Sequence, residues 1–60
     1  MERKKLDMIR AEISGLPQRK KNHAARWQQY EDAKRRLSPL AATRAEYEWL
    51  CREIANVYRL

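Results

Sequence analysis

The chain has one cysteine, one histidine, one glycine and two prolines in 60 residues. A single cysteine permits no intramolecular disulfide, and Cys51 with His23 falls short of a zinc ligand set. No run approaches the roughly 18 consecutive apolar residues of a membrane span, so no membrane partner is expected. The opening MERKKLDMIR is basic but has no apolar stretch behind it, unlike a secretory signal. Together with the lone thiol, this sets the expectation of a reducing, cytoplasmic setting.

The chemistry of an active site is missing as well. There is no glycine-rich phosphate loop and no pair of isolated carboxylates. Glu46, Glu48 and Glu53 are interleaved with Arg44 and Arg52, and Glu48–Arg52 reads as an i,i+4 ion pair. A reactive thiol needs a positioned base, and His23 lies on a different predicted helix from Cys51. Cys51 is expected beside Tyr47 and Ile54 as a buried structural thiol. We therefore expect no enzyme, no cofactor and no metal.

What the chain does have is positive charge and helical patterning. Lys and Arg number 14 against 8 acids, a net charge of +6, which favours acidic partners such as nucleic acid, an anionic membrane or an acidic protein surface. The hydrophobic fraction of 43% is too high for a disordered tail, although much of it is alanine. A chain of this length buries only about 60% of its unfolded surface, so association with itself or a partner is the expected source of added stability.

Punctuation falls at two joints. In SGLP (14–17), Gly15 suits a left-handed helix end and Pro17 follows it. In LSPL (37–40), Ser38 is a candidate N-cap with Pro39 at the first helical position. Thr43 and Glu46 offer a competing start as a capping box. These joints divide a single domain, residues 1–60, into three helices at about 2–14, 17–37 and 39–59. The first carries Leu6, Ile9, Ile13 and Leu16; the third carries Tyr47, Leu50, Ile54, Val57 and Tyr58, the clearest stripe. The second carries a thin seam of Ala24, Trp27, Tyr30, Ala33 and Leu37, supported by the i,i+4 pairs Glu31–Arg35 and Asp32–Arg36. The expected fold is all-α: an antiparallel hairpin of helices two and three, with helix one packed across it, in an oligomer.

Charge is concentrated on the middle helix. Seven cations there (Arg19, Lys20, Lys21, Arg26, Lys34, Arg35, Arg36) face only Glu31 and Asp32, a net of +5, whereas helix one is +1 and helix three neutral. Two readings follow. In one, Trp27, Tyr30 and Leu37 face helix three and the cations are its solvated surface. In the other, Lys20, Lys21, Arg26, Arg35 and Arg36 bind nucleic-acid phosphates while Trp27 stacks on a base. The first is favoured, because at 100° per residue the cations spread round the helix instead of forming a stripe.

Trp49 lies opposite the Tyr47–Leu50–Ile54 stripe, on the side of Ala42, Ala45 and Asn56. A two-helix core would leave it in water, which marks an interface with a partner or a second copy. Coverage by helix one is the competing arrangement. The expected partner-binding residues are thus Trp49, Ala45 and Asn56, with Arg26 on the flank of helix two.

The stretch AARW…A…EYEWLCRE resembles a group of small regulators of enteric bacteria and prophages, the PerC-like and AggR-activated (ANR) family. Ala24, Ala25, Trp27 and Ala33 fill the first half of its pattern. Glu48 and Trp49, or Arg44, Glu46, Tyr47 and Cys51, fill the second, and these two fillings overlap. The resemblance spans residues 24–51. It implies a cytoplasmic, all-helical regulator of transcription acting through protein contacts, on AraC-type activators or on the nucleoid protein H-NS. The function expected is therefore a small regulatory protein that occupies a protein partner. Direct RNA or DNA binding by the basic helix is the alternative, with a phage antirepressor or a structural phage assembly component as further variants.

Overall fold

The structure is a computed structural model that describes residues 2–60. Three α-helices follow one another: α1 (Arg3–Ser14), α2 (His23–Leu37) and α3 (Arg44–Tyr58), with a 3₁₀ turn at Ser38–Leu40 between the last two. There is no strand among the described residues. The short connection folds α3 back along α2 as an antiparallel hairpin, and these two helices pack closely. α1 packs on α3. It runs in the same direction as α3, since Lys5 pairs with Glu46, Arg10 lies over Trp49, and Pro17 meets Tyr58.

The apolar stripes meet in one core. Ile9 and Ile13 of α1, Ala33 and Leu37 of α2, and Leu50, Ile54 and Tyr58 of α3 are buried together, with Leu16, Tyr30, Leu40, Trp49 and Leu60 packed against them. Tyr47 and Val57 lie on the flanks of the α3 stripe and stay 38% exposed.

Helix ends depart from the sequence reading in three places. α2 begins at His23, not near residue 17, because the Asn22 side chain accepts the Ala25 N–H at 3.0 Å and caps it there. Ser38 and Pro39 open only the 3₁₀ turn; α3 starts at the competing capping box, where Thr43 Oγ1 accepts the Glu46 N–H at 3.2 Å. Glu46 reaches back one residue further than the usual box, accepting the Ala42 N–H at 2.7 Å. Gly15 is right-handed, with φ −85°, and its N–H is shared between the carbonyls of Ala11 and Glu12. The left-handed residue is instead Arg59, at φ 54° and ψ 52°. It ends α3 in a Schellman turn, with Leu60 N–H donating to Ala55 O at 2.9 Å and Arg59 N–H to Asn56 O at 3.3 Å.

Trp27 is also displaced from its expected role. It lies about 120° round the helix from buried Ala33, at 100° per residue, and is 46% exposed. The α2 seam is therefore Tyr30, Ala33 and Leu37 without Trp27. No described helix is long and apolar enough to cross a membrane.

Candidate functional site

Residues 15–22, between α1 and α2, would be loose by composition, yet two side chains from elsewhere tie them down. The buried Tyr58 hydroxyl donates to Pro17 O at 3.0 Å, and burial pushes its pKa up. Gln29 uses both ends of its amide: Nε2 donates to Gln18 O at 2.8 Å and Oε1 accepts Lys20 N–H at 3.0 Å. This pair of bonds also determines which end of the amide is which. The loop backbone is thereby held with Arg19, Lys20 and Lys21 facing outward beside the first turn of α2.

The antiparallel hairpin brings the end of α3 to the start of α2. Arg19, Lys20, Lys21, Arg26 and Arg59 consequently line one open cleft of about 400 Å³. Among the described residues, no carboxylate side chain lines it. The ion pairs among the described residues, Lys5–Glu46, Lys34–Glu31 and Arg44–Glu48, use other cations. Arg26 Nε is buried and has no hydrogen-bond partner among the described residues. The first turn of α2 holds no acid, so the positive end of its dipole adds to the field. Such a cleft attracts anions and offers them guanidinium forks and ammonium groups.

Of the sequence-predicted phosphate set, Lys20, Lys21 and Arg26 come together here. Arg36 does not; it lines a separate hollow of about 120 Å³ with Leu16, Pro17, Gln29, Asp32, Ala33 and Tyr58. Arg35 is exposed and lines neither. Trp27 is exposed on the neighbouring face of α2, edge-to-face with both His23 and Tyr30. Its indole N–H donates to His23 Nε2 at 2.9 Å.

The predicted partner-binding set is divided. Ala45 and Asn56 are exposed, but Trp49 is half-buried against the core, with the Arg10 guanidinium 5.9 Å from its ring centre. Helix α1 covers it because Lys5 and Arg10 anchor α1 along that side of α3. Arg26 is not part of this surface. It lies by Arg59, ten residues beyond Trp49, or about 15 Å along the helix.

Cys51 and His23 are not brought together. The half-buried Cys51 thiol interacts with the hydroxyls of Tyr30 and Tyr47. Both phenols are held above the usual tyrosine range, Tyr30 chiefly by burial and Tyr47 chiefly by the neighbouring Cys51 thiol. The described residues contain no cluster of three metal-ligating side chains.

Arg19, Arg59 and Gln29 were absent from the sequence reading of the site. Arg19 adjoins Lys20 and Lys21 in sequence. Arg59 follows from the antiparallel pairing, which must place the end of α3 beside the start of α2. No local signal marks Gln29. No family model, curated protein or solved structure matches the chain.

Proposed function

We propose that this protein is a small non-enzymatic module that binds nucleic acid through its phosphates. The observation that carries the reading is the cleft of five cations, Arg19, Lys20, Lys21, Arg26 and Arg59, with no carboxylate among them. Phosphate oxygens accept from the three guanidinium and two ammonium groups. Exposed Trp27, next in sequence to Arg26, gives an unpaired base a ring to stack on. The expected use is regulatory, by occupying a nucleic-acid segment.

The test is fluorescence anisotropy with a labelled single-stranded oligonucleotide over a range of salt. Each phosphate contact contributes about −0.7 to the slope of log affinity against log salt, so four or five contacts give a slope near −3. Lys20→Ala and Lys21→Ala each reduce that slope by about 0.7, and Arg35→Ala leaves it in place. Binding that does not respond to salt sinks the reading.

Regulation through a protein partner is the second reading. It is supported by the part of Trp49 that stays accessible between exposed Ala45 and Asn56, and by the resemblance of residues 24–51 to PerC-like regulators. Its signature is a bound protein that survives nuclease treatment and is lost in Trp49→Ala.

A further inference from the structure

We propose that the cleft takes the phosphorylated end of a nucleic-acid strand, a phosphate monoester, in preference to the diesters within the strand. This rests on the nucleic-acid reading and names the part of the ligand that is recognised.

The argument is the shape of the charge. Diesters present one negative charge at a time along a line, and a surface that reads them is a track of cations. No such track runs along α2. Lys34 is engaged by Glu31, Arg36 shares its hollow with Asp32, and Arg35 stands apart. Five cations outside the ion pairs converge instead at the end of the molecule where α2 begins and α3 ends. Three come from the tied-down loop, one from α2, and one, Arg59, from the left-handed position that ends α3.

A monoester fits such a convergence. It carries about −1.5 to −2 at neutral pH, against −1 for a diester, and three oxygens that accept from several directions. Arg26 brings a guanidinium to the cleft, and the acid-free start of α2 adds the favourable end of a helix dipole. Arginine supplies a planar fork for phosphate that lysine does not. Gln29 acts as a positioning residue: its two hydrogen bonds hold Gln18 and Lys20, and so set where the loop cations stand.

The experiment compares one oligonucleotide in three forms, with a 5′ phosphate, a 3′ phosphate or hydroxyls at both ends, the label placed internally. At one fixed salt concentration, one phosphorylated form is expected to bind about fivefold tighter or more than the hydroxyl-ended strand. Arg26→Lys keeps the charge and loses the fork. It is expected to weaken binding of the phosphorylated strand several-fold more than that of the hydroxyl-ended strand, and so to erase most of the preference. Gln29→Ala is expected to erase it too, with an unchanged helical circular dichroism spectrum confirming the fold. Equal affinity for all three strands overturns the end-phosphate proposal and leaves the nucleic-acid reading standing. No binding of any strand overturns both. Full preference retained in Arg26→Lys overturns the role given to its guanidinium.

Discussion

Arg59 sits at φ 54°, where a side chain strains the backbone, whereas Gly15 sits at φ −85°, where it gains nothing from lacking one. A Cβ on Gly15 meets only Glu12 O at 3.5 Å and Ala11 O at 3.9 Å, ordinary contacts. Gly15→Ala is therefore expected to stabilise by about 0.4–1 kcal/mol through reduced freedom of the unfolded chain. Arg59→Gly is expected to stabilise by about 1 kcal/mol by relieving the left-handed strain. The two should differ in function: Arg59→Gly removes a cation from the cleft and weakens oligonucleotide binding, while Gly15→Ala does not. Thermal melts beside anisotropy titrations check both, and a destabilised Gly15→Ala would contradict the right-handed geometry. In the core, Leu50 and Ile54 are fully buried, and truncating either to alanine is expected to cost about 2–5 kcal/mol. A melt unchanged by both would refute the packing of α3. Gly15 marks a left-handed helix end in the sequence, but the left-handed residue ends α3 and not α1. An arginine carries no sign that its backbone will turn left-handed; the Schellman bonds and the seating of Leu60 against the core impose it.

At the scale of an element, α3 was the most legible helix because its signals agree: a capping box at Thr43–Glu46 and a stripe through Leu50, Ile54 and Tyr58. The start of α2 was not legible, since Asn22 caps it only while Gln29 and Tyr58 hold residues 17–20 out of the helix. Those ties cross from other turns, which no local window contains. The basic site was half legible for the same reason. Lys20, Lys21 and Arg26 stand in one stretch of sequence, but Arg59 joins them only through the hairpin. Glu46 links two elements as well as capping one. The Lys5 ammonium, 2.6 Å away, and the Ala42 and Thr43 amides hold its carboxyl below the usual carboxylate range. A depressed folded pKa contributes stability that is present above the unfolded value, roughly 4.3, and is lost as pH falls through the folded value. Glu46→Gln is thus expected to melt below the wild type near neutral pH, with the gap closing as pH falls below about 4. A gap of constant size across that range would show that the ion pair and the cap add nothing as charge.

At the scale of the whole molecule, a net charge of +6 is carried by a 60-residue chain with seven buried core residues among those described. Five of the cations crowd one cleft, so the folded state holds like charges together that the unfolded chain lets separate. A small core and a concentrated field point to the same consequence: the ligand should be a large part of the protein's stability. An anion that binds only the folded cleft stabilises it by about 2.7 kcal/mol at a hundred times its Kd. In a domain of this size that corresponds to a rise in melting temperature of roughly 10 °C or more. Melts with and without a 5′- or 3′-phosphorylated oligonucleotide measure it directly. High salt alone should recover part of the rise by screening the cleft, and a neutral polymer none of it. Stabilisation by self-association behaves differently, since the melting temperature then climbs with protein concentration in the absence of any anion. A melt that tracks protein concentration and ignores the oligonucleotide would move the source of stability from the basic cleft to an interface between copies of the chain.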